Sequence, residues 1–528
     1  MRNFDLPGRS PVIAENGMAA TSHPLATETA IRVLREGGNA VDAAIAASAT
    51  LCVVEPHMTG IGGDCFVILA EPDGTTHGLN GSGRAPAGAN AAWYRANGFD
   101  SMPQTGAHSV TAPGAIRAWD TLAARFGTMG FDRLFADAIR YGEDGYPVLA
   151  RVGTHWQLCA KELEADEGSR LHCLVDGRVP HVGERHHWPA LAGTLRRIAN
   201  GGADAFYLGE IAAEMAATVQ AGGGFLSEED LAAVQADWVE PISASYAGHD
   251  VLQIPPNGQG ITALILLRLL ERLGCGSLDA DSVERRHMQI EAGRLAYSVR
   301  DHMVADAATM RVTPADLLSD RFIDDLAGHF DPQKRNPDIR LPEIPKSDTV
   351  YLTVVDRDRR AVSFINSVYG SFGAKLVTPR SGIALQNRGG CFTLDEGHPN
   401  ELGPRKRPMH TIIPAMAMKG GRAVLSFGVM GGDYQPMGHA QLFTNIMDHG
   451  MDVQEAIDHP RLFWNDTGAL KAETGISDDI RNGLVSRGHV VEAADLPHGG
   501  GQAILIDDHN GFLIGGSDPR KDGCAAGW

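Results

Sequence analysis

Residues 330–348, FDPQKRNPDIRLPEIPKSD, form a polar stretch punctuated by Pro332, Pro337, Pro342 and Pro345, and the chain passes from it directly into TVYLTVVD. Proline fixes φ and lacks an amide donor, so this stretch belongs in neither a helix interior nor a central strand and reads as an exposed linker. What flanks it constrains the fold. The first hundred residues read as strand, helix, helix, strand, strand, with helical periodicity on either side of Gly37-Gly38. The segment AVDAAIAASATL, residues 40–51, consists of small residues suited to a helix lying close on a sheet. Residues 110–300 read as largely helical, with breaks at GGGF (222–225) and IPPNGQG (254–260), and end in a long amphipathic helix over 283–303. Beyond the linker come short β runs separated by charged turns such as Arg357-Asp358-Arg359-Arg360, then a helix at GHAQLFTNIMDHG and closing strands in GGQAILIDDHNGFLIGGSD. Strands and helices on both sides favour one layered α/β architecture over two independent folds, although a prior of about 150 residues per domain suggests roughly three units.

Composition removes several classes of function. A formal charge of −19 disfavours nucleic acid or an anionic membrane as partner, since both require a basic face. The 7 cysteines are odd in number and include no CxxC pair, so neither a disulfide framework nor a zinc ribbon is expected, and no metal or cofactor is called for. The N-terminal MRNFDLPGRSPVIAENG has no basic region followed by an apolar run, and no stretch reaches about 18 uninterrupted apolar residues. A cytoplasmic protein is expected. There is no GxGxxG after a strand, no GxxxxGK[ST], no HExxH and no GxSxG. HGGG (498–501) reads as a plain turn without a serine elbow, and GIGGD (60–64) as a strained backbone turn.

Thr349 stands where linker becomes strand. On propensity alone it is a β-branched residue opening that strand. Thr353, four positions on, faces the same side in an extended chain.

Taken together, EGGNAVDAAIAA, VVEPHMTGIGGD, SDTVYLTVVDRDRRAVS, FGAKLVTPRSGIALQN, GPRKRPMHTIIPAM, SFGVMGGDYQPMGHAQ and SDPRKDGCAAG resemble the γ-glutamyltransferase family, in order and over essentially the whole chain. The resemblance implies an N-terminal-nucleophile hydrolase: a four-layer αββα sandwich with mainly antiparallel sheets, built from both halves of a precursor that cleaves itself before a threonine. The implied cut falls between Asp348 and Thr349, giving a large subunit 1–348 and a small catalytic subunit 349–528 that stay together as one compact unit. A dimer of such heterodimers is compatible with this organisation. The implied roles are nucleophile and, through its freed α-amino group, base for Thr349; a hydrogen bond to that nucleophile for Ser367, beside Thr353; and the oxyanion hole for Gly431 and Gly432. An α-amino group titrates near neutrality, at about 7.7–8.0, so cleavage creates the base that a weak hydroxyl nucleophile needs.

The substrate-facing positions depart from the family. Cys391 replaces the aspartate that holds a substrate α-ammonium, Tyr369 replaces an asparagine, and His410 and Thr411 replace a serine pair. Losing the anion that compensates a buried ammonium disfavours an α-amino acid head. Arg388, in place of a glutamine, and His410 suit a carboxylate instead. Arg84, in GSGRAP, is the candidate for the family's carboxylate-binding arginine, two positions closer to the Ala-Pro pair than the family pattern has it. The short HPNEL loop implies an open pocket, which favours hydrolysis over transfer. These departures resemble the acylases and oxamate amidohydrolases of the superfamily and imply a small-molecule amide with a carboxylate-bearing acyl part, oxamate-like or glutaryl-like. A genuine γ-glutamyltransferase or glutathione hydrolase is the alternative, and an uncleaved binding protein a third.

Overall fold

In the computed structural model, which describes residues 8–339 and 348–528, two seven-stranded sheets lie at the centre. The first runs Val12–Ala14, Phe512–Ser517, Gly500–Asp507, Arg422–Met430, Ala415–Lys419, His249–Gln253, Ile242–Tyr246. The second runs Cys524–Gly527, Met18–Thr21, Asp348–Val355, Ala361–Tyr369, Asp64–Ala70, Thr76–Gly81, Asp237–Val239. Every pairing within these two sheets is antiparallel. Segments from both sides of the linker enter both sheets, so neither side could complete a sheet alone.

Alternation along the strands creates the layers. In Arg422–Met430, the side chains of Leu425, Phe427 and Val429 join a core with helices Gly260–Arg272, Val283–Met303 and Gln435–His449. Met430, on the other face, belongs to the core shared with the second sheet. Between the sheets the contact is close and partly polar: the Thr353 and Ser426 hydroxyls are 2.6 Å apart, and Ser363, whose Oγ is 2.8 Å from the Tyr351 hydroxyl on the neighbouring strand, donates across to the Phe427 carbonyl at 3.4 Å. The second sheet is covered outside by helices Pro24–Arg35 and Ala40–Val54. All residues of the latter are buried, as its small side chains allow, and Asn39 begins it with a capping box. Its one charge, Asp42, accepts the amides of Thr128 and Met129. Four layers, αββα, result.

Two local expectations change. The region expected to be largely helical contains Asp237–Val239 and the hairpin Ile242–Tyr246/His249–Gln253, turned at Ala247 and Gly248 with φ of 49° and 74°. Paired positive φ values are what a two-residue hairpin requires. The helix over 283–303 lacks the expected solvent face, because Arg285, Arg286, His287, Glu291, Arg294 and Arg300 are all buried. Burying charge is tolerated where it is paired, as Arg294 is with Glu291 at 2.7 Å. The linker is tethered as far as it is described: the Asn336 amide donates to Glu291, and Arg294 donates to the carbonyls of Asn336 and Ile339. Residues 340–347 lie outside the described residues. Among the described residues no helix is long and apolar enough to cross a membrane.

Gly428 faces the Tyr351 ring so closely that a Cβ there would penetrate it. Gly428→Ala is expected to destabilise the protein by about 1–3 kcal/mol through overpacking. An unchanged denaturant midpoint would show that the sheets are not so close at this point.

Candidate active site

The strands Asp348–Val355 and Ala361–Tyr369 pair in register from Val350↔Asn366 onward, but the register shifts between Asp348 and Val350. Thr349 occupies that irregularity. It is fully buried, and its hydroxyl donates to Ser367 Oγ at 3.3 Å. Ser367 Oγ also accepts the Tyr369 amide at 2.8 Å and Arg388 Nη2 at 3.2 Å. Behind Ser367, Gly63 lies so close to the Ser367 carbonyl that a Cβ would overlap it. The glycines of GIGGD therefore serve close backbone approach, and Gly62 and Gly63 are not among the positive-φ residues that the strained-turn reading implied.

Arg388 is fully buried in a four-residue 3-10 turn, Arg388–Cys391. Its guanidinium donates to Thr411 Oγ1 at 2.8 Å, lies 3.9 Å from Cys391 Sγ and stacks on the Tyr369 ring at 4.5 Å. Tyr369 holds a left-handed φ of 78°, a strained setting for a bulky residue that presents its ring to the guanidinium. Burial pushes both the Tyr369 hydroxyl and the Cys391 thiol up, keeping them protonated. Among the described residues no carboxylate lies within ion-pair distance of Arg388, and its Nε has no hydrogen-bond partner.

Asp64 gathers the surrounding loops. One oxygen accepts the amides of Gly83 and Gly114 and the Gln386 side chain, at 2.9, 3.0 and 3.0 Å, and the other accepts His410 Nε2 at 3.0 Å. Burial, reinforced by the Arg388 charge, lowers the His410 imidazole to about 4. Its Nδ1 faces the Ile412 amide at 3.4 Å, and its ring lies 4.8 Å from Phe66. Both nitrogens are thus engaged within the protein. Contrary to the sequence expectation, His410 has no free cationic N–H for a substrate carboxylate and instead supports the Arg388 loop.

Gly431 and Gly432 have φ of 118° and 56°, conformations that disfavour a Cβ, and open the turn Gly432–Tyr434. HGGG is more than a plain turn: Gly499 packs against Gly431, where a Cβ would come within 2.7 Å of the Gly499 Cα, and Gly500 pairs with Met430. Gln259 Nε2 donates to the carbonyls of Thr411 (2.6 Å) and Gly432 (2.9 Å), joining the glycine turn to the Arg388 cluster. Arg300 donates to Gln259 Oε1 at 2.7 Å and to Asp433 at 2.5 Å.

The structure thus brings Thr349, Ser367, Tyr369, Arg388, Cys391, Thr411, Gly431 and Gly432 into one bonded cluster. Thr353 is apart, its hydroxyl taken by Ser426 between the sheets. Arg84 is also apart: its side chain is 47% exposed and its guanidinium donates to the Arg405 carbonyl, beside Asp306 at 3.6 Å. The short loop is anchored beside the cluster, Asn400 donating to the Cys391 carbonyl at 2.7 Å and His398 bonding the Asp301 carbonyl at 2.9 Å. Sequence reasoning missed Asp64, Gln259, Arg300 and Asp433, although Asp433 follows the glycine pair directly and Gln259 lies in the PNGQG break.

Compared with known proteins, residues 26–528 match the family model described as gamma-glutamyltranspeptidase. The glutathione hydrolase-like YwrD proenzyme of Bacillus subtilis is 36% identical over 529 residues, covering 98% of this chain and 99% of the relative. The oxamate amidohydrolase proenzyme of Klebsiella pneumoniae is 36% identical over 531 residues, with 98% and 99% covered. The crystal structure of a cephalosporin acylase from Bacillus halodurans superposes with a TM-score of 0.92 at 40% identity, covering 100% of this chain and 99% of that one. The chain belongs to the gamma-glutamyltranspeptidase family and has the N-terminal-nucleophile hydrolase fold. It is an enzyme of that hydrolase group.

Neutral burial of His410 makes stability depend on pH. An unfolded imidazole binds a proton near pH 6.5 whereas the native one does so only at about 4, so the native state loses stability as pH falls through that window. The contribution is about 3 kcal/mol at most. His410→Asn is expected to unfold with a shallower pH dependence between 6.5 and 4 than the wild type, measured by denaturant midpoints, whereas parallel curves would contradict a neutral buried imidazole.

Proposed function

We propose that this chain is a self-processing N-terminal-threonine amidohydrolase that cleaves an amide of a small, carboxylate-bearing acyl group. The observation that carries this reading is Arg388: a fully buried guanidinium with no carboxylate at ion-pair distance among the described residues, sharing Ser367 with the Thr349 hydroxyl. An uncompensated buried cation costs several kcal/mol, so a ligand carboxylate would relieve a penalty already built into the site.

In the uncut chain, Thr349 Oγ attacks the Asp348 carbonyl carbon, the C–N bond breaks, and an ester replaces the amide. Water hydrolyses that ester, leaving Asp348 as a carboxyl terminus and Thr349 with a free α-amino group. That amine then takes the proton from Thr349 Oγ as it attacks a substrate carbonyl. The tetrahedral oxyanion is met by the amides of Gly431 and Gly432, each such donor being worth about 3 kcal/mol. The protonated amine hands its proton to the leaving nitrogen, and water releases the acid from the threonyl ester. Large and small subunits stay joined because both contribute strands to both sheets.

A γ-glutamyl substrate is the second reading. It is favoured by the buried Asp433, whose Oδ2 has no hydrogen-bond partner and offers an acceptor that Cys391 does not.

Ammonia release from oxamate and amine release from glutaryl anilide are to be compared with turnover of γ-glutamyl anilide. Thr349→Ala is expected to abolish both cleavage and turnover. Arg388→Met is expected to lower kcat/KM for the preferred substrate at least about a hundredfold, mainly through KM. Full turnover by the Thr349→Ala protein, or an Arg388→Met protein with unchanged KM, would contradict the proposal.

A further inference from the structure

In the triad beside the glycine turn, one guanidinium is shared by two carboxylates. Arg300 donates through Nε to Asp301 at 2.7 Å and through Nη1 to Asp433 Oδ1 at 2.5 Å. Asp433 is only 4% exposed, and its Oδ2 has no hydrogen-bond partner. A buried carboxylate oxygen left in that state is costly unless something occupies it in the working state.

Position identifies what that could be. Asp433 follows Gly432 directly, and Gln259 ties this turn to Thr411, on which Arg388 rests. The negative charge of Asp433 is felt by both the Tyr369 hydroxyl and the Cys391 thiol, the two groups that surround Arg388. The cluster therefore presents two complementary unsatisfied groups: a guanidinium with an unpartnered Nε and a carboxylate with an unpartnered Oδ2. A ligand with only a carboxylate would satisfy the first and leave the second empty.

Building on the acyl-site reading above, we infer that Asp433 is a specificity-determining residue whose Oδ2 accepts a hydrogen bond from an N–H donor of the substrate, while Arg388 holds the carboxylate of its acyl part. The substrates selected are those in which a carboxylate and an N–H donor lie close together. That chemistry is shared by an ammonium beside a carboxylate and by a primary amide conjugated to one. Asp301, whose Oδ2 is also unpartnered, backs the same guanidinium from the helix Val283–Met303, whereas Asp433 stands on the glycine turn and is the carboxylate felt by Tyr369 and Cys391.

Calorimetric titration of the purified protein with two matched pairs tests this. L-glutamate against glutarate isolates the ammonium, and oxamate against pyruvate isolates the amide N–H. The wild type is expected to bind the donor-bearing member of at least one pair about tenfold more tightly. Asp433→Asn is expected to erase that preference by weakening the donor-bearing member alone, with Asp433→Ser as a second variant should the first fail to fold. The pair that shows the preference names the donor. A wild type without preference in either pair, or variants that weaken both members of a pair alike, would overturn the inference. Ligand preference without any amide hydrolysis would instead count against the proposed reaction and leave the Asp433 assignment standing.

Discussion

The antiparallel pairing of Asp348–Val355 with Ala361–Tyr369, broken in register at Thr349, is the constraint on which the site depends. It fixes the Thr349 hydroxyl against Ser367 and delivers Tyr369 to the place where Arg388 can stack on it. The pairing is held rigidly because both strands are central in their sheet and packed face to face against Arg422–Met430. Gly63 and Gly428 are small where they are because neighbouring backbone or ring atoms occupy the space a side chain would need. A hydroxyl presented at such a junction is held by the strand behind it, which is how a terminal residue could be aimed with little conformational freedom after cleavage.

Around this mount the polar residues form one connected system rather than separate contacts. Ser367, Arg388, Thr411, Gln259, Arg300 and Asp433 link the strand to the glycine turn through successive hydrogen bonds. Loss of any member leaves a partner buried and unsatisfied, which costs more than the bond itself contributes. Asp64 performs a similar service one layer out, fixing four loop groups and turning His410 inward, while burial and the Arg388 charge keep that imidazole neutral.

Much of this was legible in the sequence, for physical reasons that differ residue by residue. Thr349 stands out because a proline-rich polar stretch ends where a period-2 apolar run begins, and a single layered α/β architecture follows from strands and helices on both sides of that boundary, whereas the αββα arrangement came from the family resemblance. Ser367, Arg388, Thr411 and the glycine pair came from ordered fragments resembling a family, and the structure places them together. Arg84, taken from the same resemblance, and Thr353, taken from its spacing to Thr349, lie elsewhere, because spacing from an Ala-Pro pair or along a strand does not report what a side chain meets across the fold. His410 was misjudged since its partner, Asp64, is 346 positions away. The 283–303 helix looked amphipathic because its charges are usually solvated, and only tertiary pairing reveals them buried. Asp433 and Gln259 were overlooked because neither residue type signals burial; their meaning comes from the groups they bridge.

The central claim, that Thr349 becomes the N-terminal nucleophile, is tested most directly by intact-mass and N-terminal sequencing of the purified wild-type protein. The expected result is two polypeptides, one ending at Asp348 and one beginning with a free Thr349. An undivided chain that persists on long incubation, or a new terminus at any other residue, would contradict it.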